Sequence, residues 1–127
     1  MADHPNVAVV RDYLNAMTSE DMQASANFLS DDVEWHEIGR SDAIHGKAAL
    51  AERFSGDGLG DVEFTGGSTH DIIANDDHVV ALLTADVRKG DKTLTYRVAE
   101  IYHVRDGKIT ARWAFSDDTQ EITDFFA

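Results

Sequence analysis

No cysteine occurs among the 127 residues of this chain. That absence excludes a disulfide framework, a thiol nucleophile and a Cys-ligated zinc site. Proline occurs once, and no Pro- or Gly-rich linker interrupts the chain. A single domain over residues 1–127 is therefore expected, large enough to bury a core without metal or disulfide support. Basic residues are scarce, 11 Lys and Arg against 24 Asp and Glu, for a formal charge of -13. Such a surface repels nucleic acid and anionic membranes, so neither is an expected partner. Many of the acids are Asp in turn-like stretches (Asp31, Asp32, Asp76, Asp77, Asp106), which reads as solvated surface. No apolar run approaches the ~20 residues of a membrane span, and MADHPNVAVV lacks a basic segment followed by a long apolar one, so a soluble cytoplasmic protein is expected. No glycine-rich phosphate loop follows a strand, which leaves nucleotide binding without support. No pair among the six histidines has the spacing of H-E-x-x-H or another tight ligand set. Neither a metal nor a cofactor is expected.

The chain opens with apolar residues at helical spacing. Val10, Tyr13, Leu14 and Met17 predict a helix from Asn6 to Met17, and Thr18-Ser19 offers an N-cap for a second carrying Met22, Phe28 and Leu29. A strand is expected over Val33–Ile38, a third helix over Gly46–Phe54 with Ala48, Ala51 and Phe54 on one side, and long strands after that.

Two turns set a register. Asp106-Gly107 is a hairpin signal that pairs Val104 with Ile109, Tyr102 with Ala111, Glu100 with Trp113, and Val98 with Phe115. Gly90-Asp91 pairs Leu94 with Val87, Tyr96 with Ala85, Val98 with Leu83, and Glu100 with Ala81. A one-residue slip would invert every side chain, so the agreement of the two inward faces supports this register. Upstream, His70 and Ile72 would join the same face, with Gly66-Gly67 marking a bulge or bend. The opposite face mixes Val80, Leu82, Ala99, Ile101 and Ala114 with Thr95, Arg97, His103 and Arg112. That mixture is expected of a dimer interface, and a partly exposed sheet gives a similar one.

Alternation also aims one Glu inward on each of two apolar faces: Glu37 beside Val33 and Trp35, and Glu100 between Val98 and Tyr102. Burial resists ionisation and is a common way of making acids and bases that work near neutral pH. A pocket lined by Trp35, His70, Ala81, Val98, Tyr102, Trp113 and Phe115 is expected around them.

The stretches VVRDYLNAM, FLSDDVEWHEIGRSD, HGKAALAERF and VAEIYHVRDGKITARWAFSDD, in that order, resemble the SnoaL-like and ketosteroid-isomerase-like branch of the nuclear transport factor 2 superfamily over nearly the whole chain. The resemblance implies a cone-shaped α+β barrel, with three N-terminal helices packed on a strongly curved, mainly antiparallel sheet enclosing an apolar pocket. It implies a homodimer formed through the outer sheet face. It also implies roles: Tyr13 as the oxyanion-hole tyrosine, Glu37 as general base, and Glu100 as an acid kept neutral by its surroundings. The chain departs from that pattern in having Glu at both carboxyl positions and no proline after the base. Similarity to polyketide cyclases makes Asp117 another candidate carboxylate. Similarity to limonene epoxide hydrolases would require an Asp-Arg-Asp set, whereas Arg97 and Glu100 lie three apart on one strand. The expected function is thus a cofactor-independent isomerase or cyclase that abstracts a proton alpha to a carbonyl of a small apolar cyclic substrate. A non-catalytic ligand-binding or interaction module of the same fold is the alternative.

Overall fold

A computed structural model describes residues 3–19, 21–54 and 61–127. Its elements run α1 (Pro5–Thr18), α2 (Met22–Ala26), β1 (Leu29–Trp35), β2 (Ile44–His45), α3 (Lys47–Phe54), β3 (Val62–Ala74), β4 (His78–Lys89), β5 (Lys92–Arg105), β6 (Lys108–Ser116) and α4 (Thr119–Phe126). The architecture is α+β. A six-stranded sheet in the order β2-β1-β6-β5-β4-β3 is antiparallel except where β1 runs parallel to β6.

Each boundary has a local cause. Pro5 sits in the first turn of α1, where its missing N–H is not needed, and the His4 ring Nδ1 accepts from the Asn6 N–H at 3.1 Å. Val7, Val10 and Tyr13 form the buried stripe of that helix. Asp21, not Thr18 or Ser19, caps α2, which ends at Ala26; Phe28 lies beyond it and Leu29 already belongs to β1. The inward residue of α3 is Leu50, with Ala48 and Ala51 exposed; the Phe54 side chain lies outside what is described. Past β6, where the sequence pattern predicts only long strands, Thr119–Phe126 forms α4. Asp118 caps α4 by accepting from the Glu121 N–H at 3.0 Å. The D-x-x-E spacing is that of a capping box.

The β4–β5 hairpin has the expected register, including Ala81 opposite Glu100 and Leu83 opposite Val98. The β5–β6 hairpin keeps it only as far as Val104 opposite Ile109. A bulge then leaves Thr110 unpaired, and every later residue of β6 is displaced by one, so that Arg112 pairs with Tyr102, Trp113 with Ile101, and Ala114 with Glu100. Arg112 and Ala114 therefore face inward, while Trp113 and Phe115 join the outer face. In β3, one register shift falls between Phe64 and Gly66, beside the glycine pair, and a second between Thr69 and Asp71 leaves His70 exposed and unpaired. Ile72 still reaches the inner face opposite Ala81.

The core lies between the helices and the inner sheet face. Val10, Val33, Val79, Tyr102 and Ile109 are fully buried within it. Among the described residues no helix is long and apolar enough to cross a membrane.

Candidate active site

The bulge at Thr110 determines the chemistry of the inner face. Glu100 is buried between two alanines, Ala81 and Ala114, whose small side chains leave room for larger groups to reach its carboxylate. Oε1 accepts from the Tyr102 hydroxyl at 2.6 Å. Oε2 accepts from Arg112 Nη2 and, at 3.1 Å, from Arg112 Nε. With both oxygens occupied by donors, Glu100 is placed as an acceptor and as the counter-charge of a buried arginine. The expected neutral, donating Glu100 beside Trp113 gives way to this ion pair.

Arg112 is fixed on every side. Nη1 donates to the His36 carbonyl at 3.0 Å, and the guanidinium carbon lies 4.7 Å from the centre of the Trp35 ring. Burial works against its charge, yet the carboxylate of Glu100 and the hydrogen bonds to it hold its pKa above the ordinary arginine value. All three tyrosines of the chain feel the pair. Burial first, and then the Glu100 charge, raises the pKa of Tyr13, Tyr96 and Tyr102, with Tyr96 pushed up to about 12. Tyr13 packs edge-on against Trp35 and Tyr102, each at 6.1 Å between ring centres.

Glu37 lies two residues past the end of β1 and keeps that strand's inward alternation. Its carboxylate is gripped by Arg53 of α3, whose Nε donates to Oε1 at 3.0 Å and to Oε2 at 3.2 Å, with Arg40 at 3.8 Å. Glu37 and Arg112 open onto one cleft of about 370 Å³. Trp35, Phe64, Tyr96 and Phe126 supply its rings, and Arg40 and Arg53 complete its charged lining. The volume is near the lower end of the ~300–1,000 Å³ usual for ligand sites. The outer wall is α4, seated on the loop after β1 at Gly39. There φ is +75° and a Cβ would stand 2.2 Å from Thr123 Cγ2, so only glycine allows the approach.

The candidate residues therefore divide. Glu37 and Trp35 line the cleft; Tyr13, Glu100 and Tyr102 lie behind it; Ala81 and Val98 are buried in the sheet outside its lining. His70 is exposed on β3. Trp113 lies on the outer face, stacked on His36 at 4.7 Å and tilted against His103 at 4.7 Å, and Phe115 is 55% exposed there. Asp117 is exposed and bonded to Arg97 at 2.8 Å, which holds its carboxyl below the usual range. It lines a different cleft of about 450 Å³ together with Asp118 and Glu121. That cleft is larger, but its carboxylates are solvated surface groups. Arg53, Tyr96 and Arg112 were not foreseen in the site. The signal for Arg112 was the carboxylate itself, since a buried Glu is almost always paired.

A model of the SnoaL-like domain matches residues 10–112. No curated protein matches the chain. Among solved structures, an LEH-like epoxide hydrolase of M. tuberculosis is 25% identical, with a TM-score of 0.73 over 92% of this chain and 86% of the other. A protein from Xanthomonas campestris pv. campestris described as a polyketide cyclase is 23% identical, with a TM-score of 0.73 over 94% and 95% of the two chains. An NTF2-like protein of unknown function from Burkholderia pseudomallei is 17% identical, with a TM-score of 0.81 over 96% and 97%.

Proposed function

The chain belongs to the SnoaL-like domain family, and on that premise we propose that it is a cofactor-independent enzyme that moves a proton at a carbon next to a carbonyl of a small cyclic substrate. One observation carries the reading: a carboxylate, Glu37, and a guanidinium braced from behind, Arg112, face the same ring-lined cleft. Glu37 is the base. Arg112 receives the developing enolate oxygen. Of its five N–H groups, three are engaged by Glu100 and His36, and those left can turn to a ligand. Because Glu100 fixes the guanidinium before substrate arrives, little reorganisation is required as charge builds, which is the condition for strong electrostatic stabilisation. Tyr96, neutral until about pH 12 and at the same cleft, is a second donor. Tyr96 and Arg112 take the oxyanion role expected of Tyr13 and a protonated Glu100; Glu100 positions Arg112, and Tyr13 packs behind the cleft on Trp35 and Tyr102.

Epoxide opening is less well supported, despite the 25% identity to an epoxide hydrolase. An acid-Arg-acid set needs one arginine between two carboxylates. Here Arg112 takes Glu100 and Arg53 takes Glu37. Turnover of a panel of cyclic enones and polyketide-like esters, with epoxides as controls, tests the assignment. Glu37→Gln should lower turnover of the best substrate by about 10²- to 10⁴-fold, and Tyr96→Phe by a smaller factor. Ligand binding that Glu37→Gln leaves intact, with no turnover by either protein, would make the domain a binding module instead. We also propose that the outer face, with Val80, Leu82, Ala99 and Ile101 half-buried and Ile73 and Phe115 exposed, packs against a second copy. Light scattering at micromolar concentration showing a strict monomer would reject that.

A further inference from the structure

Charge at the cleft runs against charge elsewhere. The chain carries a formal charge of -13, yet three of its seven arginines, Arg40, Arg53 and Arg112, line this one cleft. Two of them are matched: Arg112 to Glu100, and Arg53 to Glu37 at 3.0 Å. Arg40 is the surplus. It stands 3.8 Å from a carboxylate already held by Arg53, its side chain is 60% exposed, and it makes no side-chain hydrogen bond among the described residues. A guanidinium on a fixed turn is suited to donating two parallel hydrogen bonds to a planar oxyanion. The turn is defined here by the Arg40 N–H bonded to the Glu37 carbonyl at 3.3 Å and by Gly39 seated under α4.

We propose that the cleft takes a compact, ring-bearing molecule that carries a carboxylate, and that Arg40 recognises that carboxylate. The proposal rests on the reading of the Glu37 and Arg112 cleft as the reaction site and narrows its substrate class. The volume of about 370 Å³ admits one or two rings among Trp35, Phe64 and Phe126. The anion of the ligand sits at the rim on Arg40, and its carbonyl lies inward toward Arg112. A carboxylate near Arg40 also competes with Glu37 for the neighbouring cations, so the acid group of the ligand loosens the hold on the base it is to meet.

Isothermal titration calorimetry with 2-naphthoate and methyl 2-naphthoate tests this, because the two probes share a ring system and differ in charge. The acid should bind about tenfold tighter than the ester. Arg40→Gln should weaken the acid by about three- to tenfold and leave the ester unchanged, a size set by the exposure of this guanidinium. Glu37→Gln should tighten the acid, because a repelling charge is gone. None of these readings requires turnover, so an inactive enzyme that still selects the acid through Arg40 refutes the catalytic reading alone. Equal affinity for acid and ester, no binding of the acid at millimolar concentration, or equal weakening of both probes by Arg40→Gln would overturn the proposal.

Discussion

Replacing Arg112 by Met should be among the most damaging single changes in the chain, because it leaves the Glu100 carboxylate buried with only the Tyr102 hydroxyl as donor. Removing one partner of a buried ion pair typically costs about 3–5 kcal/mol, most of it the stranded charge. With a urea m-value of about 2 kcal/mol/M for a domain of this size, the unfolding midpoint should fall by about 1.5–2.5 M. Glu100→Gln alone should also destabilise, since it strands the guanidinium. The double variant Glu100→Gln/Arg112→Met has no stranded charge, keeps an acceptor for Tyr102, and should recover much of the loss. Urea unfolding followed by circular dichroism on the four proteins gives the coupling energy directly. The reasoning fails if Arg112→Met costs less than about 1 kcal/mol and the two changes are additive, for then Glu100 would be a neutral acid with no need of its arginine.

Gly39→Ala should lower stability by about 1–3 kcal/mol, because a Cβ there meets Thr123 Cγ2 at 2.2 Å while φ is +75°. Hydrogen exchange should show the loss concentrated in α4, and Thr123→Ser should relieve part of it. Absorbance at 295 nm should show no phenolate near pH 10 in the folded protein and a first ionisation only towards 12, since burial and the Glu100 charge raise all three tyrosines. A tyrosine titrating near 10 would place a ring in solvent. Burial and the adjacent His78 lower the pKa of His103 against the opposing pull of Asp77 and Glu34. Just below the ordinary imidazole value of 6.5 the unfolded chain therefore binds a proton that the folded chain does not, and stability should rise with pH across that window. Thermal melts from pH 5 to 7 should show a shallower rise in His103→Asn.

Much of the inner face was legible because alternation and turn chemistry are local. The Gly90-Asp91 turn fixed twelve residue pairs of β4 and β5, and with them the position of Glu100. What was not legible was a single bulge. In Ile109, Ala111, Trp113 and Phe115 the alternation of apolar residues points one way, and it does so because Trp113 covers the outer face with His36 and His103. The competing requirement, a cation for a buried carboxylate, turns Arg112 inward and decides the register. The same kind of misreading put His70 on the inner face, where the second bulge of β3 removes it. The hold of Arg53 on Glu37 depends on how α3 docks on β1, a long-range contact that no local pattern encodes. The C-terminal helix was missed, although Asp118 and Glu121 carry its capping signal and Ile122, Phe125 and Phe126 its apolar residues.

The central claim is that Glu37 removes a proton from carbon, and solvent exchange tests it without waiting for a natural substrate. Cyclic ketones and enones bearing a carboxylate, incubated with the protein in D₂O, should acquire deuterium alpha to the carbonyl faster than in buffer alone, as followed by proton NMR. For the compound that exchanges fastest, Glu37→Gln should slow the enzymatic rate by about 10²- to 10⁴-fold. Exchange by Glu37→Gln at the unmutated rate, or no exchange above buffer for any compound that binds the cleft, would contradict the account.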